Sequence, residues 1–291
     1  MGHWIPGRAG NVFVVQRPKP RSWSVYKWVS DSELRLIRDR LQGSIVPTPR
    51  LIRWWPAQPD LPAAVELEYI GHLATTTPCY HFAPESIPFS SPDWLEDGLS
   101  GLVKLLAQVH RASRAETNGL RPLGPADDED DFRVALAKLE AVKELPGGKR
   151  WHSFWTDHQR TAETAFAAAH ALPATWLWGD AKWDHVGRKE DGSLVLLEWS
   201  DLRGPGGSDL FLSLFLGRRR RDEIVGMYAE AAEVAERDVR KALLRSCFVH
   251  GPGLSCLAVR GVAAGESSDT DRRFWRQEAE TVAEAIDELS G

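Results

Sequence analysis

Three cysteines in 291 residues, Cys79, Cys247 and Cys256, are too few and too scattered for a disulfide framework or a zinc site. Their ordinary role is as small, partly buried side chains in a reducing compartment. No stretch approaches the ~20 apolar residues that cross a bilayer, and the N-terminus lacks an apolar signal segment. A cytoplasmic chain without a membrane partner is the expectation. Basic excess is missing too. Lys and Arg number 36 against 41 Asp and Glu, a net charge of −5, which argues against a nucleic-acid binder. No internal repeat and no low-complexity tract is present. The remainder, 43% hydrophobic and 26% charged, suits an ordinary globular protein of one large domain or two lobes. Tryptophan is the one excess; most of the thirteen should pack cores, and a few could line a pocket.

Taken in order, the chain opens with a turn signal at Pro6 to Asn11 and a strand over Val12 to Val15. A second strand reads Ser22 to Val29, rich in β-formers. Ser30-Asp31-Ser32-Glu33 starts a helix, with a hydroxyl or Asp to cap it and an acidic first turn, and Gly43 ends it. Strands over Leu51 to Trp55 and Ala63 to Ile70 complete a small β-β-α-β-β lobe. Lys27 on its strand and Glu33 on the helix are placed to meet as an ion pair, although two unrelated surface charges would read the same way. Beyond Trp94 the periodicity is helical, with Leu99, Leu102, Leu105, Leu106 and Val109 on one face, ending at His110-Arg111. Residues 117–131 read as a loop closing on the acidic run Asp127 to Asp131. That run is a solvated face or helix N-terminus, or a docking surface for an electropositive substrate. Helices follow at 132–144 and 151–171. Gly204 to Gly207 reads as a flexible turn, Arg218 to Arg221 as a solvated helix end, and Gly265 to Asp271 as a mobile loop among closing helices at 222–236, 237–249 and 271–288.

The chemistry-bearing residues concentrate between Trp178 and Asp209. A tight Trp178-Gly179-Asp180 turn precedes an extended piece, His185 to Lys189, and an Asp191-Gly192 hairpin signal leads into the apolar run Leu194 to Trp199. The loop before one hairpin strand and the end of the next face the same side. Asp180, His185, Glu198 and Asp201 therefore come within reach of a common point, with Lys182 alongside. Three carboxylates and an imidazole beside a lysine make a divalent-metal and phosphate site, or merely the polar ends of a surface hairpin.

The order of these pieces, from about Gly7 to Leu216, resembles the aminoglycoside phosphotransferases and choline kinases, a branch of the protein-kinase-like fold. The resemblance implies an α+β, two-lobed fold. A small antiparallel β N-lobe would span 1–71, and a larger, mostly helical C-lobe 72–291, with the catalytic hairpin at 178–201 and acceptor-binding helices. It implies that the turn holding Gly10 and Asn11 covers nucleotide phosphates. Lys27 would contact those phosphates with Glu33 as its partner, and the backbone of Glu68-Tyr69-Ile70-Gly71 would hold adenine. The family loop H-G-D-x-x-x-x-N stands here as Trp178 to His185. That makes Asp180 the base for the acceptor hydroxyl, with Lys182 beside it, and puts His185 where the family has a metal-binding Asn. Glu198 aligns with the metal-binding Asp, and Asp201 matches the Asp that follows it. Structural roles fall to His110, which packs on the catalytic loop, and to Asp209, which braces that loop.

ATP with Mg2+ or Mn2+ is the implied cofactor set. The departures bear on it: glutamate adds a methylene to the expected aspartate, and histidine offers nitrogen where Mg2+ prefers oxygen. The implied activity is transfer of the γ-phosphate to a hydroxyl. The acceptor would be a small natural product or antibiotic, or Ser/Thr of a precursor peptide with a partner enzyme in its maturation. The alternative is a non-catalytic pseudokinase that binds a nucleotide or a partner as a regulator or scaffold.

Overall fold

The computed structural model describes residues 2–3, 12–17, 22–68, 70, 72–73, 92–115, 120–179, 181, 185–189, 191–216, 218–263 and 269–290. The chain forms two compact units, Met1–Cys79 with Lys182–Ser200, and Tyr80–Ala181 with Asp201–Gly291.

In the first unit, β1 (Gly2–His3), β2 (Val12–Arg17), β3 (Ser22–Val29), β4 (Leu51–Trp55) and β5 (Ala63–Glu68) form an antiparallel sheet in the order β1-β2-β3-β5-β4. Lys27 lies mid-sheet, opposite Val12 on one side and Val65 on the other. Side chains alternate across a strand, and Val29, Ala63 and Val65 are buried with Leu34 of the following helix, flanked by Ile37, Leu51 and Leu67. That helix, α1 (Asp31–Arg35), begins as the sequence implies: the Ser30 hydroxyl accepts from the Glu33 N–H at 3.1 Å. It then widens into a π-helical segment, Leu36–Leu41, and the chain turns at Gly43, whose φ of 78° suits glycine.

The central hairpin joins this unit. β9 (Val186–Arg188) pairs with both β10 (Leu194–Leu196) and β6 (His72–Leu73), and the Leu196 N–H donates to the Pro47 carbonyl at 2.8 Å. A hairpin read from sequence as part of the helical lobe thus groups with the N-terminal sheets. Its turn is closed by Lys189 and Ser193, with Gly192 at φ 85°, so Asp191-Gly192 is not flanked directly by the ladder as a two-residue turn would require.

The second unit contains α2 (Pro92–Ser113), α3 (Pro125–Glu140), α4 (Gly148–Asp157), α5 (Gln159–His170), α6 (Arg218–Ala232), α7 (Glu236–Ala263) and α8 (Asp269–Ser290). A small sheet orders β7 (Arg121–Pro122), β11 (Leu202–Pro205) and β8 (Ala174–Trp176), and a 3-10 segment, Gly206–Leu216, follows β11. Phe132, Trp155, Phe166 and Phe248 meet edge-to-face at centroid separations of 6.1–6.5 Å in its core.

Four expectations are corrected in this unit. The loop expected to reach 131 ends before Pro125, and the acidic run forms the first turns of α3, the helix N-terminus that was one reading of it. Asp127 accepts from the Gly124 N–H at 2.7 Å, and Asp128 is buried, holding Arg245 at 2.6 and 2.5 Å and His170 at 2.7 Å. The helix expected at 151–171 is two helices meeting at His158. Gly204 to Gly207 is buried rather than flexible: a Cβ at Gly206 would lie 2.7 Å from Thr175 Oγ1 and 2.8 Å from His110 Nδ1. The penultimate helix, expected to end at 249, continues through Pro252 to Ala263 because it is the central packing element against α8 and α3. Its stretch Glu236–Gly261 is long and apolar enough to cross a membrane by length and composition, which the sequence reading did not foresee, yet 67% of the apolar window is buried within the unit. At the start of α6, Arg218 and Arg219 are solvated while Arg221 is buried against Glu288.

Candidate functional site

Two polar centres stand out, one in each unit. In the first unit, Lys27 Nζ donates to Glu33 Oε1 at 2.7 Å and to Glu198 Oε1 at 2.6 Å. Each partner owes its position to a local device. The strand register aims Lys27 toward the helix face of the sheet, the Ser30 cap fixes the first turn that carries Glu33, and β10 ends two residues before Glu198. The Lys27 side chain is only 13% exposed. Burial lowers its proton affinity, but the charges of Glu198 and Glu33 and their hydrogen bonds outweigh it, so the pKa is raised. Glu198 itself has φ 57°, an uncommon conformation for a residue other than glycine.

In the second unit, Asp209 receives three donors: the Trp178 N–H at 2.7 Å, the Gly179 N–H at 3.0 Å and His110 Nε2 at 3.1 Å. His110 is fully buried, and with its proton on Nε2 it donates to Asp209 and accepts from the Tyr228 hydroxyl at 2.7 Å. Burial first, then the Asp209 charge, push the Tyr228 hydroxyl far up, which keeps it a donor. Gly179 sits at φ 85°, so the turn is glycine-dependent. The carboxylate thus clamps the backbone of Trp178 and Gly179, in line with the bracing role expected of it.

No protein-family profile matches the chain, and no curated protein sequence matches it. Solved structures do. A protein from Ralstonia eutropha assigned as an aminoglycoside phosphotransferase superposes with TM-score 0.70 at 12% identity, over 100% of this chain and 92% of its own. Choline kinase from Cryptosporidium parvum gives 0.65 at 10%, over 100% and 90%. Aminoglycoside phosphotransferase from Alicyclobacillus acidocaldarius gives 0.61 at 13%, over 100% and 91%. The chain has the aminoglycoside phosphotransferase/choline kinase-like fold.

Within this kinase-like α+β fold the other expected site residues divide. Gly10, Asn11, Asp180 and Lys182, and in the hinge Tyr69 and Gly71, lie outside the described residues. Glu68 spends its backbone N–H on the Arg50 carbonyl at 2.9 Å and its carboxylate on Lys189 at 3.3 Å, and Ile70 is buried. His185 is half-buried and accepts the Leu197 N–H at its carbonyl, 2.8 Å away. The Asp201 carbonyl accepts from the Arg121 N–H at 2.8 Å. Among the described residues no three His, Cys, Asp or Glu side chains are grouped to hold a metal ion. In the first unit Glu198 gives one carboxylate oxygen, Oε1, to Lys27. Among the described residues Glu198 is paired with Lys27 and not grouped with further metal-ligating side chains.

Sequence reasoning missed the Lys27–Glu198 contact. The available signal was the glutamate itself, one methylene longer than the aspartate expected at a strand end. It also missed the Asp128–Arg245 pair, whose members lie 117 residues apart.

Proposed function

We propose that this protein is an ATP-dependent phosphotransferase acting on a hydroxyl of a small molecule. The observation that carries the reading is the Lys27–Glu33 ion pair at 2.7 Å, on the strand and helix where the fold's phosphate-contacting lysine and its partner are expected. Support comes from the neighbours' substrates, which include aminoglycosides and choline, and a further neighbour of this fold is choline kinase LicA in complex with AMP. Lys27 would hold nucleotide phosphate. Asp180, on the turn that Asp209 clamps, would take the acceptor's proton; such transfer depends mainly on positioning and charge. Within the acidic run Asp127 caps α3 and Asp128 is buried against Arg245, which leaves Asp130 and Asp131 as its exposed carboxylates.

Calorimetric titration of ATP into the protein and into Lys27→Ala tests the reading. Saturable binding that the substitution weakens at least ~10-fold supports it. Equal affinity would remove Lys27 from the site, and no binding by either protein would sink the phosphotransferase proposal. A screen of hydroxylated acceptors then compares the protein with Asp180→Asn, expected to bind ATP normally and transfer no phosphate.

A further inference from the structure

Lys27 lies between two carboxylates at nearly equal distance, 2.7 Å to Glu33 and 2.6 Å to Glu198. One ammonium between two carboxylates leaves a local charge of −1, unfavourable for a polyphosphate. The two carboxylates are not equivalent. Glu33 is fixed in the first turn of a capped helix, and its side chain is 31% exposed. Glu198 is 44% exposed, stands just past a three-residue strand and holds a left-handed backbone conformation at φ 57°. Backbone strain of this kind persists where the surrounding contacts over-determine it, and the contact visible at Glu198 is the one to Lys27.

We propose that Glu198 is a positioning residue for Lys27, holding the ammonium in place and yielding it to a nucleotide phosphate, instead of being a metal ligand. The proposal rests on the nucleotide-site reading above. It accounts for the glutamate: the added methylene supplies the reach to Lys27 that an aspartate on the same backbone would lack. Glu33 then keeps the lysine oriented while the more exposed carboxylate leaves.

The test is calorimetric titration of ATP into the full chain and into Glu198→Gln and Glu198→Asp, each in EDTA and in Mg2+. With the charge removed, Glu198→Gln is expected to bind ATP roughly ten-fold tighter in EDTA. Glu198→Asp, which keeps the charge but loses reach, is expected to fall between. A metal ligand behaves differently in Mg2+: Glu198→Gln would lose the gain in affinity on adding Mg2+, and that result overturns the proposal. If no protein binds ATP under either condition, the nucleotide reading fails and this one with it. A measurement without nucleotide separates the two. NMR titration of 13C-dimethylated Lys27 should show its pKa falling in Glu198→Gln. An unchanged titration would mean that Glu198 does not hold the lysine, whatever ATP does.

Discussion

The buried carboxyl of Glu278 makes the stability of the helical unit depend on pH in an unusual direction. Glu278 is 8% exposed on α8, one turn before Val282, which is fully buried and near Gly251 of α7. Burial alone pushes its pKa up to about 8 from the ordinary 4.5. A folded-state pKa above the unfolded one means that the native state holds the proton longer. Stability from this group is full below about pH 4.5 and falls as pH rises toward about 8. At 1.36 kcal/mol per tenfold change in proton affinity, the interval from 4.5 to about 8 amounts to roughly 5 kcal/mol. Glu278→Gln cannot ionise, but desolvating its amide still costs about 1–3 kcal/mol. The variant should therefore gain about 2–4 kcal/mol over the parent at pH 9. At about 2–4 °C per kcal/mol for a unit of this size, that is a rise of roughly 5–15 °C in Tm. Near pH 4.5, where the parent carboxyl is protonated, the variant should instead melt below the parent by that amide cost, so the two curves cross. Thermal denaturation followed by circular dichroism across pH 4.5–9 decides it. Parallel curves with a constant offset would show that Glu278 is not titrating in the buried state, and the argument would fall.

Other contacts give sharper single outcomes. Gly251→Ala places a Cβ against the ring of Trp155, which is fully buried and donates to Ser255 at 2.8 Å, so it should cost about 1–3 kcal/mol by overpacking; an unchanged urea midpoint would contradict this. Arg245→Ala strands the Asp128 carboxylate in the interior and should cost about 3–5 kcal/mol, while Arg245→Met with Asp128→Leu should recover most of that in the same assay. Asp209→Ala removes the acceptor of two backbone N–H groups and of His110, a loss of roughly 2–4 kcal/mol. If Asp209 braces the loop, phosphate transfer should fall far more than ATP affinity; equal losses would make it a general stabiliser.

The Lys27–Glu33 pair was legible because both positions are set locally. A strand fixes which face Lys27 takes, a Ser30 cap fixes where the helix begins, and six residues separate the two charges. Asp209 and His110 were legible only through resemblance, since they stand 99 positions apart and no period links them. The acidic run misled for a related reason. The run does open a helix, as one reading of it had it, but its solvation was misjudged at Asp128, which the packing of α3 on α7 brings to Arg245 in a way local pattern does not encode. The glycines at 204–207 misled in the same way: composition signals flexibility equally well where close packing forbids a side chain, as at Gly206 between Thr175, His110 and Tyr228.

Glu198 shows how a family pattern and a geometry can part at one residue. The family resemblance implies for it a metal-binding aspartate's place with the charge unchanged, so pattern alone would make it a ligand. One methylene and a left-handed backbone turn instead bring its carboxylate to Lys27 at 2.6 Å, beside a partner already present at 2.7 Å. A cation sharing two carboxylates is more firmly placed and less available than one sharing a single carboxylate. The same substitution that weakens the case for a conventional metal site thus makes Lys27 more ordered and harder for phosphate to reach. Which effect dominates is a question about nucleotide affinity without metal, and Glu198→Gln isolates it, because glutamine keeps the length and removes only the charge.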